Sequence, residues 1–251
     1  MEGLKRGAFQ GVLNIVRFNW HLYAAGFLFF SVWMILCPYL GLPGLFAVVT
    51  AILFFWTMVV SLVVSWFVYD RSHLYETGWL KKLDIEPGTI VNIHAGFDET
   101  SALLSLTFPM AALQVMDFYD PDRHTEVSIR RARRAYPSAP GTIRINTSSP
   151  PVCARTLDAA FLIFAAHEIR DERERRLFLS CLRDGLVPGG KLVVVEHLRD
   201  WRNFLAYTVG FFHFFSAAQW KADFSAAGLM IRSQDGITPF VRVYVLERTT
   251  G

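Results

Sequence analysis

The chain has 251 residues, room for one ordinary domain and a little more but not for two of full size. Hydrophobic residues make up 53% and charged residues only 19%, against about 25% charge in an average soluble domain. That excludes a disordered chain and points to a membrane segment, while a net charge of +3 argues for no polyanionic partner.

From Leu22 to Tyr69 there are 48 consecutive residues without Asp, Glu, Lys or Arg. Pro38, Gly41, Pro43 and Gly44 divide the run, so it predicts a two-helix transmembrane hairpin with spans at about 20–38 and 44–69. The run is too long for a signal peptide. Basic residues flank both ends (Lys5, Arg6 and Arg17 before, Arg71, Lys81 and Lys82 after) and the connecting turn carries none. Positive-inside bias then places both termini on the cytoplasmic side. Residues 1–69 read as tail and hairpin, 70–84 as a juxtamembrane linker with a short helix, and 85–251 as one soluble domain.

In that domain Glu86-Pro87-Gly88 reads as a turn and Thr89–Ile93 as a buried strand, followed by a helix over 101–108. Leu113–Met116 closes on Asp117 as a second strand. A helix from Thr125 to Tyr136 carries Arg130, Arg131, Arg133 and Arg134, a solvated face or a rest on anionic lipid headgroups. Thr142–Ile145 is a short third strand. Asp158–Ala166 is a near-continuous apolar run, expected of a central parallel strand covered on both faces. A charged amphipathic helix over 172–182, a strand over Lys191–Val195, helical segments over Phe204–Trp220 and Lys221–Ala227, and strands at Leu229–Ser233 and Val241–Glu247 complete the chain. Alternating strands and helices give an α/β doubly wound sheet.

Ligands of such sheets bind beyond the carboxyl ends of the strands, and those ends are polar here. His94, Gly96, Asp98 and Glu99 follow the first strand and Asp117 the second; His167, Glu168 and Arg170 follow the central strand, and Glu196, His197, Arg199 and Asp200 the next. His167 and His197, after adjacent strands, are expected to face one cleft. A histidine suits proton removal from a phenol; Glu168 or Glu196 would orient it, and Arg170 or Arg199 would hold an anionic acceptor group. Asp98 either binds an ammonium group or starts the next helix. No metal is expected: no zinc-hydrolase spacing occurs, and neighbours such as His167-Glu168 do not easily point into one site. Cys37, Cys153 and Cys181 form no CxxC pair, which argues against a disulfide framework. No nucleic-acid module is present.

The order of elements over 85–248 resembles a Rossmann-like class I S-adenosylmethionine-dependent methyltransferase, and a membrane-anchored bacterial group within it. The likeness rests on Val91-Asn-Ile-His-Ala-Gly-Phe-Asp98 in the glycine-rich position, on Asp117, 21 residues after Gly96, and on Leu186-Val-Pro-Gly-Gly-Lys-Leu-Val193. The loop departs from the family pattern: Asn92 stands for the usual acid, and His94 and Asp98 for two glycines. The resemblance implies a donor site for S-adenosylmethionine formed by Asn92, His94, Gly96, Asp98, Asp117 and Phe118. It implies catalysis by His167, His197, Glu168 and Glu196. The acceptor contacts would be Arg170, Arg199, Asp200, His213 and Phe212, the last two in a charge-free aromatic stretch. The acceptor is expected to be a hydrophobic, membrane-associated small molecule with a phenolic, quinone-like or aryl head, a phospholipid amine being second. The location implied is the bacterial inner (cytoplasmic) membrane, where a two-helix anchor could pair into a homo-oligomer. The rival reading is a non-enzymatic, membrane-anchored interaction protein on a decayed fold.

Overall fold

A computed structural model describes residues 6–85, 88–123, 126–150 and 155–249. Lys5, Glu86 and Pro87 of the expected turn, Thr125 at the expected helix start, and Cys153 lie outside the described residues.

Helix α1 (Gln10–Tyr39) and helix α2 (Gly44–Trp66) form an antiparallel hairpin. Phe30 stacks on Phe54 at 4.5 Å, and the Trp33 indole donates to the Thr50 hydroxyl at 3.2 Å. Both helices are long and apolar enough to cross a membrane, and almost none of their apolar surface is buried in the protein. Phe29 and Leu45 are more than 70% exposed, a heavy cost in water for side chains of this size.

Helix α1 starts at Gln10, ten residues before the expected span. Its first turns pack on the sheet-bearing part of the chain through the buried Gly11, Asn14 and Phe18. The Asp70 carboxylate accepts from the free amides of Gly11 (2.5 Å) and Val12 (2.8 Å), serving as the cap that Phe9 cannot provide. Asp70 lies in a single π-helical turn (Phe67–Arg71) that continues α2. A Cβ on Gly11 would sit 2.5 Å from that of Tyr69, so only glycine allows this approach.

The segment 72–84 is less a linker than a clasp. A 3-10 turn (His73–Tyr75) and helix α3 (Thr77–Lys81) bury Leu74 and Leu80 against the sheet.

The sheet has seven strands in the order β3-β2-β1-β4-β5-β7-β6. They are β1 (Thr89–His94), β2 (Ala112–Asp117), β3 (Ile143–Arg144), β4 (Leu157–Ile163), β5 (Leu186–His197), β6 (Leu229–Thr238) and β7 (Val241–Arg248). The first five run parallel and β7 is antiparallel to both its neighbours. The strand order reverses between β1 and β4, the position of a ligand crevice. Helices α4 (Ser101–Thr107), α5 (Val127–Ala135), α6 (Glu172–Gly185), α7 (Trp201–Tyr207) and α8 (Ala217–Ala226) complete the fold.

Side chains of alternate strand residues build two cores. Val91, Ile93, Leu162 and Val194 meet Phe178 of α6 and Trp220 of α8 on one face. Ile90, Phe161, Val193 and Val195 meet Leu104, Leu80 and Val68 on the other, the face of the hairpin. Between α6 and α8 the buried Arg175 guanidinium bonds Asp223 at 2.7 Å and donates to the Ile169 carbonyl at 2.8 Å, fixing the loop after β4.

Two expectations need correction. The hairpin of β6 and β7 turns at Pro239-Phe240 alone, so β6 runs five residues further than its apolar run suggests. The stretch 204–220 is not one helix: Thr208 takes φ 48°, ending α7, and a 3-10 segment (Thr208–His213) follows. This break disposes of the aromatic surplus. Phe215 turns inward onto Trp220, Phe214 stacks on His197, and Phe212 stays 62% exposed.

Candidate active site at the strand carboxyl ends

At the end of β1, Gly96 adopts φ +94°, and a Cβ there would lie 2.9 Å from the Tyr119 ring. Only glycine sustains both the left-handed backbone and this close approach of the Tyr119 ring. His94 Nδ1 accepts from the Gly96 amide at 3.2 Å, and burial lowers its pKa against the pull of Asp117. Asn92, beneath the loop, donates to Thr100 at 3.0 Å and Ser101 at 2.8 Å. Asp98 Oδ1 accepts from the amides of Thr100 and Ser101 at the start of α4.

Asp117, at the end of β2, is 1% exposed. Its carboxylate accepts from the Tyr119 amide at 2.9 Å, from Ser138 at 3.2 Å and from Arg133 in a tight ion pair. Arg133, expected on a solvated face, also donates to the Gly96 carbonyl at 3.2 Å. Phe118 points into the core against Phe178, leaving Tyr119 as the surface neighbour of the acid.

A cavity of about 220 Å³ opens beside Tyr119, lined by Phe118, Asn146 and Thr147 at the ends of β2 and β3. A second, of about 260 Å³, lies beyond Gly96. Ala95, Phe97 and Thr100 line it on one side and Phe164, His167 and Glu168 on another. Helix α1 closes it with Asn14, Ile15 and Phe18, and the π turn with Tyr69.

The acid–base groups cluster at the second cavity. His167 Nδ1 meets the Glu196 carboxylate at 2.7 Å, and its amide donates to the other Glu196 oxygen at 3.2 Å. Its Nε2 faces Glu168 at 3.4 Å, and Glu168 faces Nε2 of His213 at 3.5 Å. Burial alone would depress the His167 pKa, but Glu196 and Glu168 outweigh it and push it up to about 10. Burial likewise works against the Glu168 charge, yet His167 and His213 hold that carboxyl well below its usual range.

His197 is placed elsewhere. Alternation along β5 sends Glu196 to the His167 side and His197 to the hairpin side, so the two histidines do not share a cleft. The His197 ring stacks between Phe164 (5.0 Å) and Phe214 (4.9 Å). Its Nδ1 donates to the Phe240 carbonyl at 3.0 Å, and its Nε2 accepts from the Tyr69 hydroxyl at 2.8 Å. Burial pulls its pKa down to about 4.

The remaining expected acceptor contacts also separate. Arg170 ties the carbonyls of His167 (3.2 Å) and His213 (2.6 Å) together. Asp200 caps α7 through the Asn203 amide at 2.9 Å. Arg199 and Phe212 are exposed and line neither cavity. Residues the sequence reading did not single out for the site include Asn14, Phe18, Glu126, Asn146 and Arg133. Gly11, Asn14 and Phe18 recur at helical spacing ahead of the apolar run, a signal of a docked face that the charge-free count passed over.

The sequence matches no protein-family profile, and no curated protein resembles it significantly. Solved structures do. A SAM dependent methyltransferase from Aquifex aeolicus superposes with a TM-score of 0.51 at 15% identity, over 71% of this chain and 94% of that one. A methyltransferase complexed with the Haloferax volcanii Trm112 methyltransferase activator gives 0.50 at 16%, over 72% and 92%. Residues 89–248 therefore carry the fold of class I S-adenosylmethionine-dependent methyltransferases, with two long apolar helices in front of it.

Proposed function

We propose that the protein is an S-adenosylmethionine-dependent methyltransferase acting on a hydrophobic, membrane-associated small molecule with a phenolic, quinone-like or aryl head. The observation that carries this reading is the wall of the 260 Å³ cavity. The first turns of the hairpin helix α1 form it, so an acceptor dissolved in a bilayer would meet the strand ends where the hairpin enters the domain.

The donor side fits the cofactor in its fixed parts. Gly96 lets the backbone be approached closely, here by the Tyr119 ring, Asp117 offers a carboxylate at the strand end, and buried Asn92 Oδ1 and His94 Nε2 have no partner among the described residues. Two long side chains, Arg133 and Tyr119, lie across that groove and would swing aside, leaving Asp117 to accept ribose hydroxyls. S-adenosylmethionine, when bound, supplies an electrophilic methyl group on sulfur. On the acceptor side Ile15, Phe18 and Phe164 offer an apolar slot for a ring, and Glu168 with His167 offers polar atoms to orient its head. The basic flanks of the hairpin support a cytoplasmic domain on a bacterial inner membrane.

A scaffold role is favoured by one observation, the Arg133 and Tyr119 side chains across Asp117 and Gly96. Calorimetry with detergent-solubilised protein separates the two. Methyltransferase function predicts saturable binding of S-adenosylmethionine, lost in Asp117→Ala and retained or tightened in Arg133→Ala. No binding at millimolar ligand, in wild-type and Arg133→Ala protein shown to be folded, would select the scaffold.

A further inference from the structure

The chain lets two sequence neighbours face one point. His167 and Glu168 lie in a 3-10 turn (Ala166–Glu168), not an extended strand, so their side chains converge instead of alternating. His213 arrives from the 3-10 segment after α7, and Arg170 holds the two backbones together through their carbonyls. One ligand atom from each of His167, Glu168 and His213 lies within 4.8 Å of the other two.

The spacing is informative. At 3.4 and 3.5 Å the two contacts to Glu168 are long for charged hydrogen bonds, which close to about 2.7–2.9 Å. Two ligand atoms each about 2.1 Å from a tetrahedral ion stand about 3.4 Å apart. The His167 imidazole is also backed in the way metal-binding histidines are, Nδ1 meeting Glu196 at 2.7 Å, while Nδ1 of His213 looks towards the more exposed Glu126 at 3.4 Å, a longer contact. Glu196 is fully buried, and with neutral imidazoles the carboxylates of Glu196, Glu168 and the more exposed Glu126 outnumber the one guanidinium beside them, Arg170, a balance that accommodates a cation. The mixed nitrogen and oxygen donors suit zinc or a similar transition ion better than magnesium or calcium.

We propose that His167, Glu168 and His213 form a site for a divalent transition-metal ion of zinc type, with a coordination position open to the cavity that His167 and Glu168 border. Taken with the methyltransferase reading, that open position would take an acceptor oxygen. The metal site itself stands without that reading, and its test reads no methyl transfer.

The test is a titration of full-length, chelator-treated protein in detergent with Co²⁺, followed by its visible d–d absorption and by displacement with Zn²⁺. One saturable equivalent is expected in wild type. The absorption should be lost in His213→Ala and Glu168→Gln, and affinity should fall about 10–100-fold in Glu126→Ala, which removes only the backing carboxylate. His73→Ala, at an exposed His–Glu pair elsewhere, should leave binding unchanged. Absence of a saturable band in folded wild-type protein overturns the site. So does a Co²⁺ affinity that His213→Ala leaves unaltered. S-adenosylmethionine calorimetry on the same samples keeps failure of the metal site distinct from failure of the donor site.

Discussion

The ends of β4 and β5 carry the same two residue types in opposite order, His167-Glu168 and Glu196-His197, and the fold puts them to opposite uses. After β4 the chain has left the sheet, and both side chains turn toward the cavity. Within β5 the chain is still extended, so Glu196 goes to one face and His197 to the other. Without a metal ion, one imidazole is clamped between carboxylates and held as a cation, with its pKa near 10. The other is wedged between phenyl rings and held neutral, with its pKa near 4. Neighbouring strand ends in an α/β sheet therefore do not form a common site by adjacency alone; where each strand stops decides which face its polar residues serve.

The largest expected effect comes from removing the group that links the two ends. Glu196 belongs to β5 but acts on His167 through both a side-chain and a backbone contact. Glu196→Ala would strand a buried imidazolium, and breaking a buried pair of this kind costs about 3–5 kcal/mol. A large fall in melting temperature is expected in detergent, with Glu196→Gln falling less because an amide oxygen still accepts. A melting temperature for Glu196→Ala within about a degree of wild type would mean that the carboxylate is not what holds the turn after β4.

The two histidines should also stamp opposite pH slopes on stability. His197 has its pKa depressed to about 4 in the folded protein, against about 6.5 in an unfolded chain. Between those values the unfolded chain binds the extra proton, so stability drops as pH falls from about 6.5 towards 4. His167 has its pKa raised to about 10. In chelator-treated protein its contribution is full below about pH 6.5 and is lost as pH rises through about 10. Melting curves across this range should show a maximum near neutrality. His197→Phe, which fills the gap between Phe164 and Phe214, should flatten the acid side only; an unchanged acid limb would assign that slope to other groups.

Much of this fold is legible along the chain, because buried parallel strands announce themselves as apolar runs and Pro-Gly-Gly marks the approach to β5. The polar strand ends are visible for the same reason. What is not legible is pairing across distance. Arg133 reads as one arginine of an exposed cluster until the fold brings it 16 positions back onto Asp117. Asp70 reads as the end of the apolar run, whereas it caps a helix 59 positions earlier. The fate of His197 was in principle readable: within one strand, residues 196 and 197 must face opposite ways. The apolar run over 191–195 stops too early to show that the strand reaches His197.

The smallest change is also the most discriminating. Tyr69 reaches from the hairpin end to His197, and Tyr69→Phe removes only the hydroxyl that donates to Nε2 at 2.8 Å, keeping the ring beside Phe164. A single net hydrogen bond contributes about 1 kcal/mol, so melting should drop by about 2–4 °C for a domain of this size. The acid limb should survive, since burial keeps His197 neutral whether or not Tyr69 donates. A loss as large as that of Glu196→Ala would instead make this hydroxyl a principal tie between hairpin and sheet. The β5 histidine would then hold the hairpin in place, while the β4 histidine is left to face the cavity.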